Sequence, residues 1–112
     1  MPIKLISFGY KSGDVPAPAG EVIDCRGLRN PHHVATLRMK TGLDKEVQDF
    51  VDRDPKSFDL VNEALIKVAS KDTIAFGCYG GRHRSVAMVE LVAKSLRKTG
   101  LVVETKHREL FA

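Results

Sequence analysis

The decapeptide GCYGGRHRSV, residues 77–86, concentrates reactive and cationic side chains. Cys78 is followed by five residues and then by Arg84 and Ser85. That spacing suits phosphoryl chemistry. A thiolate can attack phosphorus, an arginine fork can hold two phosphoryl oxygens, and a serine hydroxyl can stabilise the sulfur anion. The same residues also suit simple anion capture. Gly80 and Gly81 allow main-chain N–H groups to converge without side-chain obstruction. A helix beginning after them adds unpaired amides and partial positive charge. Arg82, His83 and Arg84 would oppose a bare helix dipole, and an anion between them and the helix removes that conflict. Cys78 is read two ways: as a nucleophile, or as a small packed residue beneath a ligand.

The cavity-forming elements follow from the surrounding sequence. TIAF precedes the decapeptide and extends to a continuous apolar run, Thr73 to Cys78, as in a strand covered on both faces. Ser85 to Thr99 reads as a helix with Val86, Val89, Ala93 and Leu96 on one side and Gly100 as its cap. Leu101 to Thr105 reads as a strand, which completes a right-handed βαβ unit. Earlier in the chain, Ile3–Tyr10 and Glu21–Cys25 read as strands, separated by a Gly/Pro loop over Lys11–Gly20. Residues 26–42 show no period and form a long loop of the kind that carries function. Two helices follow. The first places Val47, Phe50 and Val51 on one side after an Asp44 cap; the second starts at Asp54-Pro55, with Phe58, Val61, Leu65 and Val68 as its buried stripe.

These elements make one domain over residues 1–112: an α/β fold, a small three-layer sandwich around a mainly parallel sheet of about four strands. Ligands of such sheets bind beyond the carboxyl ends of the strands. Three strand ends carry suitable residues: GYKSG, CRGLRNPHH and GCYGGRHRS.

Composition sets the limits. The chain has 112 residues, 43% of them hydrophobic and 29% charged, with a net charge of +4. That excess permits an anionic partner without requiring nucleic acid. No apolar run approaches the ~20 residues of a membrane span, and the N-terminus lacks the apolar region of a signal peptide. With only two cysteines there is no disulfide framework, so reduced thiols and a cytoplasmic location are expected. His32, His33, His83 and His107, taken with the cysteines, match no zinc spacing. No metal and no cofactor are expected; the histidines are read as polar lining of an anion pocket.

Five blocks together resemble the C-terminal domain of the RNase adapter RapZ family: SFGYKSG, DCRGLRNPH, LRMKTGLDKEV, GCYGGRHRSV and KHREL. They occur in that order and span nearly the whole chain. The resemblance implies a regulatory or adapter domain that binds an amino sugar phosphate or another phosphorylated metabolite. It further implies RNA as a second partner and self-association into homo-oligomers. Carried over to this sequence, the pocket would take Asp24 and Arg26 from the second strand end and His32 from the long loop. The glycine loop would supply Cys78, Tyr79, Gly80, Gly81, Arg82, His83, Arg84 and Ser85, and His107 and Arg108 would close the pocket. Members of that family join this domain to an N-terminal nucleotide-binding domain, and no G-x-x-x-x-G-K-[ST] occurs here, so nucleotide hydrolysis of that type is not expected. Tyr79 and Arg82 stand where the family usually has a small residue and a lysine. RNA binding is the weaker expectation, since aromatic residues for stacking are few. The alternative to a binding module is a phosphatase-like enzyme using Cys78 and Arg84.

Overall fold

A computed structural model describes residues 2–16 and 19–110. Four strands form a single sheet: β1 (Ile3–Gly9), β2 (Glu21–Asp24), β3 (Thr73–Cys78) and β4 (Val103–His107). Their spatial order is β2-β3-β1-β4, and every neighbouring pair is parallel. Three helices accompany them: α1 (Lys45–Asp52), α2 (Pro55–Lys67) and α3 (Arg84–Lys98). The expected α/β sandwich with a parallel sheet of four strands is found, but the three helices all pack on one face, so the layers are two and not three. No helix is long and apolar enough to cross a membrane among the described residues.

Alternation along the strands assigns the two faces. Ile3 and Leu5 of β1, Ile23 of β2, Ile74 and Phe76 of β3 and Val103 of β4 share one buried cluster with Val47 and Val51 of α1, Ala64 of α2 and the inner side of α3. β3 is buried along its whole length, as its apolar run predicts. On the opposite face, Phe8 and Ala75 are also fully buried. There the Phe8 and Tyr10 rings pack edge to face, 4.9 Å between centroids, and both lie where a side chain at Gly77 would stand. Full burial of a phenylalanine contributes about 2–3 kcal/mol.

One element boundary and one buried stripe differ from expectation by more than a single residue. β4 begins two residues later than predicted and runs to His107, so His107 belongs to the sheet. The stripe expected on α2 is turned outward in part: Phe58 and Leu65 are exposed, whereas Ser57 and Ala64 are buried. Small residues let α2 lie close against α3, and the larger ones are left at the rim. α2 starts as predicted, with Pro55 in its first turn and the Asp54 carboxylate accepting from the Lys56 N–H at 3.0 Å. Asp44 does precede α1, but its carboxylate accepts from the N–H of Thr41, 2.8 Å away, and caps the preceding turn instead. The long loop of residues 26–42 contains a short 3-10 turn at Pro31–His33. Gly100 ends α3 with φ of 89°, a cap conformation that suits glycine. Residues 17 and 18 of the predicted Lys11–Gly20 loop lie outside the described residues.

Candidate functional site

The glycine loop joins β3 to α3 at the carboxyl edge of the sheet. Its geometry is fixed by main-chain contact with β1. Gly81 adopts φ of 72°, and a Cβ there would stand 2.5 Å from the Gly9 nitrogen. A Cβ at Gly9 would in turn stand 2.6 Å from the Gly80 carbonyl carbon. The two strand ends therefore touch backbone to backbone. The Lys11 N–H donates to the Tyr79 carbonyl at 3.0 Å and holds the first strand end against the loop.

Inside the loop, donors converge on sulfur. The N–H groups of Gly81 and Ser85 point at Cys78 Sγ from 3.3 and 3.4 Å. Ser85 Oγ lies 3.2 Å from the same atom. Cys78 and Ser85 are both buried. Among the described residues, the N–H groups of Gly80, Arg82 and His83 donate to no other group. A Cβ built on Gly80 meets nothing within 4 Å, so the space over the loop is open there.

That space is a cavity of about 310 Å³ whose walls include Lys11, Asn30, His32, Cys78, Gly80 and Arg84. Tyr79, Arg82 and His83 complete its rim, and no carboxylate lines it among the described residues. Arg84 is only 7% exposed, yet it forms no ion pair among the described residues. Its Nη1 donates to the carbonyl oxygens of Arg26 at 2.9 Å and Leu28 at 3.2 Å. No fully buried side-chain nitrogen lacks a partner among the described residues, so the remaining guanidinium donors reach accessible space. A guanidinium held this way has the chemistry to accept an anion: its orientation is set by carbonyls and its charge is unanswered. Lys11 and Arg82, both exposed, also lack carboxylate partners among the described residues.

His83 shows how the long loop is docked. Its Nε2 is 3.1 Å from the Arg38 carbonyl, and since that oxygen can only accept, Nε2 carries the proton. Burial holds the His83 pKa below its ordinary value, against the opposing pull of the Arg38 and Lys40 carbonyls. The His32 ring stands 6.2 Å from the His83 ring, so the two histidines flank one wall.

The structure does not bring all the predicted residues together. His32, Cys78, Tyr79, Gly80, Arg82, His83 and Arg84 share the cavity, with Gly81 and Ser85 beneath it. The side chains of Asp24 and Arg26 do not line it. Alternation along β2 sends Ile23 to the helix side and Asp24 to the opposite face. There Asp24 pairs with Arg26 at 2.8 Å, and the Arg26 guanidinium stacks on Tyr10 at 3.9 Å. Hydrogen bonding to Arg26 lowers the Asp24 pKa. Arg26 contributes to the cavity only through its carbonyl oxygen, which orients Arg84.

His107 and Arg108 do not close the cavity either, because β4 extends further than its sequence suggested. His107 is buried, with Nδ1 2.7 Å from Ser7 Oγ and Nε2 2.8 Å from Glu90 Oε2. It lines a separate open cleft of about 500 Å³ beside Leu43 and Glu90. Arg108 is occupied by the carbonyls of Asp14 and Gly9 and by the Glu109 carboxylate. Conversely, Lys11 and Asn30 belong to the cavity and were not singled out as site residues. Lys11 lies in GYKSG, one of the three strand ends that topology assigns to this edge; Asn30 caps the Pro31–His33 turn through its side chain.

The family model described as the RapZ C-terminal domain matches residues 1–111. The chain is 42% identical to a nucleotide-binding protein of Acidiphilium cryptum over 121 aligned residues, covering 98% of this chain and 40% of that protein. It is 40% identical to a nucleotide-binding protein of Thermotoga neapolitana, covering 96% of this chain and 42% of the relative. A nucleotide-binding protein of Thermobifida fusca is 44% identical, with 95% and 40% covered. The chain thus spans about two-fifths of the length of these curated relatives. It belongs to the RapZ C-terminal domain family.

Proposed function

We propose that this member of the RapZ C-terminal domain family is a binding and regulatory module that seats a phosphorylated small molecule, such as an amino sugar phosphate or a nucleotide, in the glycine-loop cavity. The observation that carries the reading is Arg84: a buried guanidinium oriented by two carbonyls, without a carboxylate, beside free amides of the loop. A phosphoryl group would receive the remaining guanidinium donors and the N–H groups of Gly80, Arg82 and His83. Lys11 and Tyr79 at the rim would meet the rest of the ligand. The relatives' name, nucleotide-binding protein, agrees with a phosphorylated ligand, although it describes chains well over twice as long. RNA is a second partner for the same unpaired cations, and its binding would weaken steeply as salt is added.

The test is a thermal titration with inorganic phosphate, glucosamine-6-phosphate, a nucleoside monophosphate and unphosphorylated glucosamine. Ligands that bind the folded state raise the melting temperature in proportion to ln(1 + [L]/Kd). The phosphorylated compounds should raise it and glucosamine should not. Equal responses to glucosamine and its phosphate would overturn the reading.

One observation favours a catalytic alternative. Two main-chain N–H groups point at Cys78 Sγ, whose thiol donates to Ser85 Oγ, and such N–H donors stabilise a thiolate. No carboxylic acid lines the cavity among the described residues, and Asp24 is committed to Arg26 on the other face. Turnover of an aryl phosphate that disappears in Cys78→Ser, with phosphate binding retained, would establish the enzyme. Binding without turnover between pH 5 and 8 is expected of the module.

A further inference from the structure

We propose that Cys25 and Cys78 form a reversible intramolecular disulfide, and that this cross-link switches the glycine-loop cavity off. Both thiols are free and buried. Asp24 pairs with Gly77 in the parallel ladder, and the Cys25 N–H extends that ladder by donating to the Gly77 carbonyl at 2.7 Å. The next residues in register are Cys25 and Cys78. Adjacent strands lie about 4.8 Å apart, within the Cα separation of roughly 4.4–6.8 Å that a disulfide spans. Both side chains point to the helix face, since both join the cluster formed by Ile23 and Phe76.

The two thiols differ in the way an oxidation couple requires. Cys78 lines the cavity, and its sulfur faces the N–H groups of Gly81 and Ser85. Cys25 is fully buried, and its only polar contact among the described residues is weak, 3.8 Å to the Ile23 carbonyl. Burial raises its pKa well above the ordinary thiol value. Cys78 is therefore the first to react and Cys25 the resolving partner. The oxidant is a hydroperoxide small enough for the cavity. The Cys78 thiolate attacks one peroxide oxygen; the O–O bond breaks and the departing oxygen leaves protonated as water or an alcohol. Cys78 is now a sulfenic acid. The Cys25 sulfur then attacks the Cys78 sulfur, the S–O bond breaks, and the Cys25 proton leaves with the hydroxide as a second molecule of water. An external dithiol reverses the reaction by exchange.

Drawing Cys78 Sγ towards Cys25 takes it away from Gly81 and Ser85, which set the shape of the loop. This second half rests on the anion reading above; the cross-link itself does not. The experiment treats the whole chain with hydrogen peroxide, alkylates any remaining thiols and digests with trypsin. A linked pair of peptides, residues 12–26 with residues 72–82, is expected, and dithiothreitol should abolish it. Cys25→Ser and Cys25→Ala should yield no linked pair and leave Cys78 open to over-oxidation. Because the linked pair is read in the unsubstituted chain, the test does not depend on either variant folding. Cys25 that stays alkylatable while Cys78 becomes sulfinic or sulfonic acid would overturn the cross-link. In parallel, the rise in melting temperature with inorganic phosphate should vanish in oxidised protein and return on reduction. A cross-linked protein that still responds to phosphate would overturn the switch. A cross-link in a protein whose reduced form ignores phosphate would support the disulfide and overturn the anion reading alone.

Discussion

Arg84 Nη1 lies 2.9 Å from the main-chain oxygen of Arg26, so helix α3 and the segment after β2 are joined by a guanidinium that also lines the cavity. Truncating it should have two separable effects. Arg84→Ala leaves the carbonyls of Arg26 and Leu28 without a donor, at a cost of about 1–3 kcal/mol, read as a lower urea midpoint. It should also abolish the melting-temperature rise with phosphate. Arg84→Lys keeps the charge but loses the fork, and should restore much of the stability and little of the phosphate response. A full phosphate response in Arg84→Ala would remove the basis of the proposed function.

The two loop glycines should separate folding from binding. Gly81 needs its positive φ, and a Cβ there would run into the Gly9 nitrogen. Gly81→Ala should therefore destabilise by more than about 1 kcal/mol. Gly80 has an ordinary φ and open space around its Cβ position. Gly80→Glu should fold nearly as well as the parent and lose phosphate binding, because its carboxylate occupies the anion's place. Thermal melts with and without phosphate check both.

His107 should matter for stability and not for the ligand. It stands between Ser7 and Glu90 in a buried chain of hydrogen bonds. His107→Ala leaves a hydroxyl and a carboxylate unanswered and should cost about 2–4 kcal/mol. Glu90→Gln is milder and keeps a bonding partner. In whichever variant folds, the phosphate-induced shift should match that of the parent.

Acid stability should report on Asp54. Its carboxylate accepts the Arg29 N–H at 2.7 Å and the Lys56 N–H at 3.0 Å, and the Arg29 bond is the largest cause of its lowered pKa. The folded group titrates below the ordinary aspartate value of about 3.9. The unfolded chain therefore takes up the proton first. The stabilisation is complete above that value and is lost as pH falls through the folded-state pKa. Asp54→Ala should cost about 1–2 kcal/mol near neutrality, as an N-cap loss does. Urea midpoints of parent and variant should draw together as pH falls below the ordinary aspartate range.

Much of this fold could be read from the chain. Apolar content alone located β1 and β3, and the continuous burial of Thr73–Cys78 follows from its composition. Pro55 after Asp54 marked the start of α2, and Gly100 the end of α3. What escaped depended on tertiary contact. The outward Phe58 follows from how close Ala64 lets α2 approach α3, which periodicity does not contain. The inclusion of His107 in β4 depends on its register with Ser7, a partner 100 residues away. The glycine loop was legible because its signals are local. Which neighbours share its cavity was not: Asp24 and Arg26 were excluded by strand alternation, while Lys11 arrived from the end of β1.

The backbone contact between Gly9 and Gly80 divides the pocket into parts that differ in how they tolerate substitution. Its floor is main chain packed on main chain, where a Cβ at Gly9 or Gly81 would collide. Its rim is built from long exposed side chains at 11, 79 and 82, each replaceable without disturbing what lies below. Substitutions at these three positions should therefore alter what the cavity admits while leaving its floor intact.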